Sequence, residues 1–238
     1  MPILHCLIIL GLLTGATAAA EEPASREMTP AELGALLGRL ERNLGSIQSL
    51  AAAFTQEKHL ELFSDVVMAE GVIAFRRPDD VRLEFTQPFR SVLIARRDSV
   101  AKYECLDGAW EKMKLGSTSV IQMVTGQIAA WLQGRFREKS SVYKISARTG
   151  AEPVVVLTPT SKDFLKHIVS IELTISADET RVASVVVREP DGNFTRMEFT
   201  SEQRDIPLDA DVFDTARREP AKLSIELPPV AAPDEGAK

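Results

Sequence analysis

Residues 71–88 read Gly-Val-Ile-Ala-Phe-Arg-Arg-Pro-Asp-Asp-Val-Arg-Leu-Glu-Phe-Thr-Gln-Pro, and their pattern decides the fold. Val81, Leu83 and Phe85 alternate with Arg82, Glu84 and Thr86, so apolar and polar side chains leave an extended chain on opposite sides. Pro78-Asp79-Asp80 and Gln87-Pro88 bracket the run with turn residues. Two strands joined by so short a connection are an antiparallel hairpin.

The same period extends in both directions. Ala52, Phe54 and Gln56 share one face and Ala53, Thr55 and Glu57 the other. Strands are expected over about 51–62, 65–76, 80–86, 91–97, 100–106 and 109–115, and again over about 141–147, 153–158, 166–176, 180–188 and 193–200. Asp98-Ser99, Asp107-Gly108, Ala177-Asp178-Glu179 and Asp191-Gly192 supply the turns. About eleven strands are more than an open sheet carries without curling. A strongly curved sheet closed by helices follows.

Two helices flank and interrupt this meander. Thr29-Pro30-Ala31-Glu32 combines a capping box with proline at the first helical position. Leu33, Leu36, Leu37, Leu40 and Leu44 then recur at helical spacing, predicting a helix over about 30–45 that ends near Gly45. A second is expected over about 118–134, with Val120, Ile121, Val124, Ile128, Trp131 and Leu132 on its apolar face.

Residues 3–13 are apolar, and small residues follow to Ala20, ahead of Glu21 and Glu22. This predicts a secretory signal over 1–20, cut near Ala18 or Ala20, although no Lys or Arg precedes the apolar core. An uncleaved anchor is the rival reading. One domain is expected over 21–218, followed by a Pro/Ala-rich, disordered tail over 219–238 in which Leu223–Leu227 could add a short strand.

The net charge of -6 comes without basic clusters, which argues against nucleic acid as a partner. Cys6 falls within the signal, leaving Cys105 without an intramolecular disulfide partner, and its alternating segment suits a small packed hydrophobe. His59 and His167 are expected on different strands; Asp163 and His167 have a spacing that suits metal only on a helix, where strand pattern is read instead. Nucleotide-binding glycine motifs, a nucleophile elbow and paired glycosidase carboxylates do not emerge from the pattern. Asn193-Phe194-Thr195 is a formal glycosylation sequon. Binding is therefore expected rather than catalysis, with no cofactor and no metal.

Three blocks resemble the outer-membrane lipoprotein carrier family, usually called LolA. They are Phe54-Thr55-Gln56, then the Gly71–Pro88 stretch with its Arg-Pro and Thr-Gln-Pro, then Val156-Leu157-Thr158-Pro159 with the strands that follow. The order holds over about residues 30–215. The resemblance implies an α+β, mainly β fold: an incomplete, eleven-stranded antiparallel barrel under a helical lid, over an apolar cavity. It implies a monomeric periplasmic carrier that takes acylated lipoproteins from an inner-membrane lipoprotein-releasing transporter to an outer-membrane acceptor. It also implies that Arg77, the arginine of Arg-Pro, bonds to lid backbone and gates the cavity. The chain departs from the family pattern at Asp98-Ser99, at Ala101–Cys105 and at its Val212–Ala216 ending.

A curved alternating sheet makes one face a cavity and leaves the other wet. Candidate lining residues are Leu36, Leu40, Phe75, Leu83, Phe85, Leu93, Met113 and Trp131, each of which would serve equally in an ordinary core. Met113 and Met123 would suit an adaptable chain-binding surface. A same-fold binder of another lipid or glycolipid, and a periplasmic lipid sensor, are the alternatives.

Overall fold

The computed structural model describes residues 25–62, 65–114, 126–139 and 142–216. The expected signal segment, Met123 and the tail from 219 onward, with Leu223–Leu227, lie outside these residues.

Eleven antiparallel strands form one sheet in the order β6-β5-β4-β3-β2-β1-β11-β10-β9-β8-β7. They are β1 (Ser49–His59), β2 (Val67–Arg76), β3 (Asp80–Gln87), β4 (Ser91–Arg96), β5 (Ser99–Leu106), β6 (Ala109–Lys112), β7 (Tyr143–Arg148), β8 (Val154–Pro159), β9 (Ser170–Ile175), β10 (Val182–Arg188) and β11 (Phe194–Arg204). The β6 and β7 edges do not pair with each other, so the barrel is incomplete. The first and last strands pair directly, from Leu50 opposite Arg204 to His59 opposite Phe194.

Helix α1 (Pro30–Leu44) opens with the capping box expected of Thr29 and Glu32, and its buried stripe is Leu36, Leu37, Leu40 and Leu44. These leucines pack with Leu50, Phe54, Ile73 and Phe75 of β1 and β2 in the main core. The described part of the second helix, α2, covers 126–132. It ends at Gly134, whose φ of +70° is a left-handed conformation that glycine adopts at little cost. A Cβ there would stand 2.5 Å from Leu40 O, so the glycine also lets the end of α2 rest on the α1 backbone.

The strand expected from residue 166 begins only at Ser170, because a short helix α3 (Lys162–Leu165) precedes it. Ser161 accepts the turn through its carbonyl, bonded by Leu165 N at 3.0 Å, and Phe164 packs edge-to-face on Tyr143. Backbone bonds from His167 N and Ile168 N to Phe164 O, at 3.0 and 2.9 Å, continue the turn through the residues where the alternation was read, His167 included.

The expectation of a uniformly wet outer face is corrected. After β11 the chain turns at Asp205 (φ +51°), tied by Asp205 N to Ser49 O and by Gln48 N to the Asp205 carboxylate. It then crosses the outside of the sheet to Tyr103, whose hydroxyl donates to Thr215 O at 2.7 Å. Leu208, Val212 and Phe213 pack against Ala74 beneath this strap. The small side chains of Ala51, Ala53 and Ala74 on that face are fully buried. Arg82, read as a solvated alternate, is also fully buried. Its guanidinium donates to Glu84 at 2.9 Å and 3.0 Å and to Val212 O at 3.2 Å. The polar side of β3 is thus an internal ion pair satisfied by the strap.

Beyond the strap, the outside of β7–β10 carries salt-bridged side chains around Val186. There Glu172 bridges Arg148 and Arg188 at 2.8 and 2.7 Å. Partial burial pushes the Glu172 carboxyl up, but hydrogen bonds from Arg188 and Arg148 hold it below its ordinary range.

Candidate functional site

A cavity of about 220 Å³ lies between α2 and the inner face of the sheet. Helix α2 supplies Gln127, Ile128, Trp131 and Leu132, two i,i+4 pairs that a helix places on one side. The facing wall comes from Ile73 and Leu83 on one flank and Tyr143, Ile171, Leu173, Val185, Val187, Met197 and Phe199 on the other. Gln127 and Trp131 are almost fully buried. Tyr143 is buried too, and loss of hydration pushes its phenol up to about 12.

The expected lining residues separate into groups. Leu83 and Trp131 are in the cavity wall. Leu36, Leu40 and Phe75 are fully buried in the solid core under α1. Phe85 packs there as well, edge-to-face with Phe54 at 5.2 Å. Leu93 pairs with Leu83 across β3 and β4 and is half-buried. Met113, just after β6, is half-buried and outside the wall. The residues missed are those of β9–β11. Their signal was in the sequence, since Ile171 and Leu173, Val185 and Val187, and Met197 and Phe199 all alternate at period two.

Arg77 lies at the β2–β3 turn, at the end of the barrel where α1 finishes. It donates to Ile47 O and Gly45 O, both at 2.5 Å, and its backbone N–H bonds to Gln48 O. Its guanidinium therefore satisfies the carbonyl of the α1 cap residue Gly45 and that of Ile47 in the segment leading into β1. Burial lowers its pKa, as does the neighbouring Arg135 charge, against an opposing pull from Asp205; a guanidinium stays protonated through such shifts. The second helix reaches the same turn by other residues. Gln133, buried, donates to Pro78 O at 2.9 Å, and Arg135 pairs with Asp79 at 3.3 Å. The turn 77–79 is a point where both helices are fastened to the sheet, and α1 is also held at the β9–β10 turn by Arg39 and Asn43 bonding to Glu179.

The opposite end of the barrel has a different surface. The large hydrophobic side chains exposed among the described residues are Leu62, Val66, Val67, Met68, Phe89, Leu106, Leu165 and Val169. All belong to the β1–β2, β3–β4, β5–β6 and β8–β9 connections or the strand residues beside them, which the antiparallel order brings to one rim. Leu62 is 93% exposed and Phe89 82% exposed, so these are free tips rather than edges of the core.

Other chemistry is sparse. Among the described residues no cluster of three or more His, Cys, Asp or Glu side chains could hold a metal ion. None of the described helices is long and apolar enough to cross a membrane. Cys105 is a free, half-buried thiol on β5, opposite Trp110. Asn193 of the sequon uses its side-chain oxygen to accept from Glu61 N at 2.8 Å.

Residues 45–216 match the family model described as outer membrane lipoprotein carrier protein LolA. An outer-membrane lipoprotein carrier protein from Pseudoalteromonas translucida (strain TAC 125) is 20% identical over 179 residues, covering 74% of this chain and 80% of that protein. Among solved structures, the lipoprotein LppX of Mycobacterium tuberculosis aligns with a TM-score of 0.44 at 11% identity, over 76% of this chain and 99% of that one. A LolA superfamily protein from Nitrosomonas europaea aligns with a TM-score of 0.41 at 10% identity, over 76% and 96%.

Proposed function

The chain belongs to the outer membrane lipoprotein carrier family, and on that premise we propose that it binds the acyl chains of lipoproteins beneath α2 and carries them across the periplasm from inner to outer membrane. The observation that carries this reading is the apolar cavity between a helical lid and a curved sheet. Each methylene moved from water into such a space gains about 0.8 kcal/mol. An acyl anchor alone in water is strongly disfavoured, and a carrier substitutes its own interior for the bilayer.

The cavity volume bears on mechanism. In this reading α2 moves away from the sheet to admit an acyl chain into the cavity of about 220 Å³. Arg77 fastens α1 and Gln133 fastens α2 to the same turn, so that turn is the gate in this reading. Its bonds stabilise the contracted form and lower net affinity for cargo, which favours handover. The apolar rim around Leu62 and Phe89 is the surface assigned to meet the inner-membrane transporter and the outer-membrane acceptor. No step breaks or forms a covalent bond in the cargo.

The test is mass spectrometry of what co-purifies with the protein from periplasm. Acylated lipoprotein is the expected finding. A different lipid bound stoichiometrically would replace the lipoprotein cargo with that lipid, and a protein that retains no lipid after gentle purification would overturn the carrier role.

A further inference from the structure

Resting on the carrier reading and its gate, we propose that Asp205 is a positioning residue for Arg77, acting through the peptide that joins Ile47 to Gln48. The two side chains hold opposite ends of that one unit. The Arg77 guanidinium donates to Ile47 O at 2.5 Å, and Gln48 N donates to the Asp205 carboxylate at 2.7 Å. In a trans peptide the C=O and N–H point in opposite directions, so the unit lies between a cation and an anion. Each charge strengthens the hydrogen bond at the far end, because polarisation passes along such a chain.

The surrounding bonds fix both ends of the chain. Arg77 also reaches Gly45 O, and its backbone N–H bonds to Gln48 O at 2.9 Å. Asp205 N donates to Ser49 O at 2.8 Å, and Ser49 Oγ donates to Ile206 O at 2.6 Å. The segment 45–49 is thus gripped by the β2–β3 turn on one side and by the start of the strap on the other. Arg135 crowds Arg77 with like charge, and Asp205 supplies the opposing field. The bend suits its residue: φ is +51° at Asp205, a conformation that Asp and Asn adopt more readily than most side chains. Asp205 lies outside the cavity wall, so its influence on cargo passes through Arg77. With the anion in place the guanidinium keeps its carbonyls and the contracted form is favoured. Without it that form weakens, and cargo is held longer.

The experiment loads the native protein with a fluorescent hexadecanoic acid and follows release into excess phosphatidylcholine vesicles by stopped flow. Asp205→Asn keeps an oxygen acceptor and removes the charge. Release should slow about two- to fivefold, the range set by weakening one hydrogen bond. In an Arg77→Leu background the same substitution should change the rate by less than about 1.5-fold, because a residue acting through Arg77 has nothing left to act on. Leu208→Ala loosens the packing of the strap on Ala74; it should lower the denaturation midpoint and leave release unaltered. The Gln48 amide 1H signal should move upfield in both Asp205→Asn and Arg77→Leu, since each removes one charge from the same peptide. Asp205 loses the role if Asp205→Asn releases at the unaltered rate while Arg77→Leu does not, if the two effects multiply, if the Gln48 signal stays in place, or if Leu208→Ala slows release as much as Asp205→Asn. Release from Arg77→Leu at the unaltered rate overturns the gate reading instead, and failure of the native protein to take up the probe overturns the carrier reading.

Discussion

Gln133 donates one side-chain hydrogen bond to Pro78 O at 2.9 Å and another to Ala129 O at 2.8 Å, closing the end of α2 onto the β2–β3 turn. Removing this buried amide should cost about 1–3 kcal/mol, because carbonyl acceptors at the joint lose their donor. Gln133→Ala is expected to lower the denaturation midpoint and to speed uptake of an apolar fluorescent probe. Stopped-flow mixing measures the second effect separately from the first.

Arg77→Leu acts on the other half of the same joint. It strips the guanidinium from Gly45 O and Ile47 O and leaves Gln133 in place. We expect cargo to load normally but to be released to the acceptor more slowly. Transfer from loaded carrier at the rate of the unaltered protein would remove Arg77 from the gate.

Gly134→Ala should loosen the contact between the helices. The position has φ +70°, and an added Cβ would meet Leu40 O at 2.5 Å. The conformational strain alone costs about 1 kcal/mol or more, and the clash adds to it. Thermal unfolding gives the cost, while faster exchange of the α1 and α2 amides would show where it falls.

Arg82→Met tests the covered outer face. The guanidinium is fully buried and shares two hydrogen bonds with Glu84. Taking the cation from a buried pair typically costs about 3–5 kcal/mol, whereas replacing both partners with apolar residues costs far less. Chemical denaturation of Arg82→Met and of the Arg82→Met, Glu84→Leu double variant should show the single change as the more damaging one.

Two groups set limits on the pH range. The Glu32 carboxyl is held at about 2 rather than 4.5, first by hydrogen bonds from Arg26 and then by those from Thr29. Its folded pKa is depressed, so the stability it contributes is present above about 4.5 and is lost as pH falls toward 2. Glu32→Gln should flatten the acid side of the stability profile. Tyr143 behaves in the opposite sense. Its folded pKa is raised from 10.0 to about 12, so stability is retained below 10 and declines between 10 and 12. Ultraviolet titration should reveal a phenol ionising late, and Tyr143→Phe should abolish that step.

The strand pattern was legible because each strand has an inner and an outer side. Val81, Leu83 and Phe85 announce one strand, and the Thr29 capping box announces α1. Which inner residues face a hollow and which fill a core was not legible. Phe75 and Leu83 have the same character and sit on neighbouring strands, yet only Leu83 reaches the cavity. That difference depends on where two helices settle, a relation between distant parts of the chain. The buried state of Arg82 was hidden for a similar reason: its cover comes from Val212 and Phe213, some 130 positions away. Period two records direction, and burial on the outward side comes from a segment with no period of its own.

The strap gives the wall unequal stiffness around its circumference. Strands β1–β5 are clad on both sides along part of their length, while β8–β10, with much of the hollow against them, are backed by the Glu172 ion pairs and by Val156 and Val186 rather than by the strap. In the carrier reading, a guest entering the hollow presses on one flank that the Leu208–Phe213 strap backs and on another, around Glu172, that it does not.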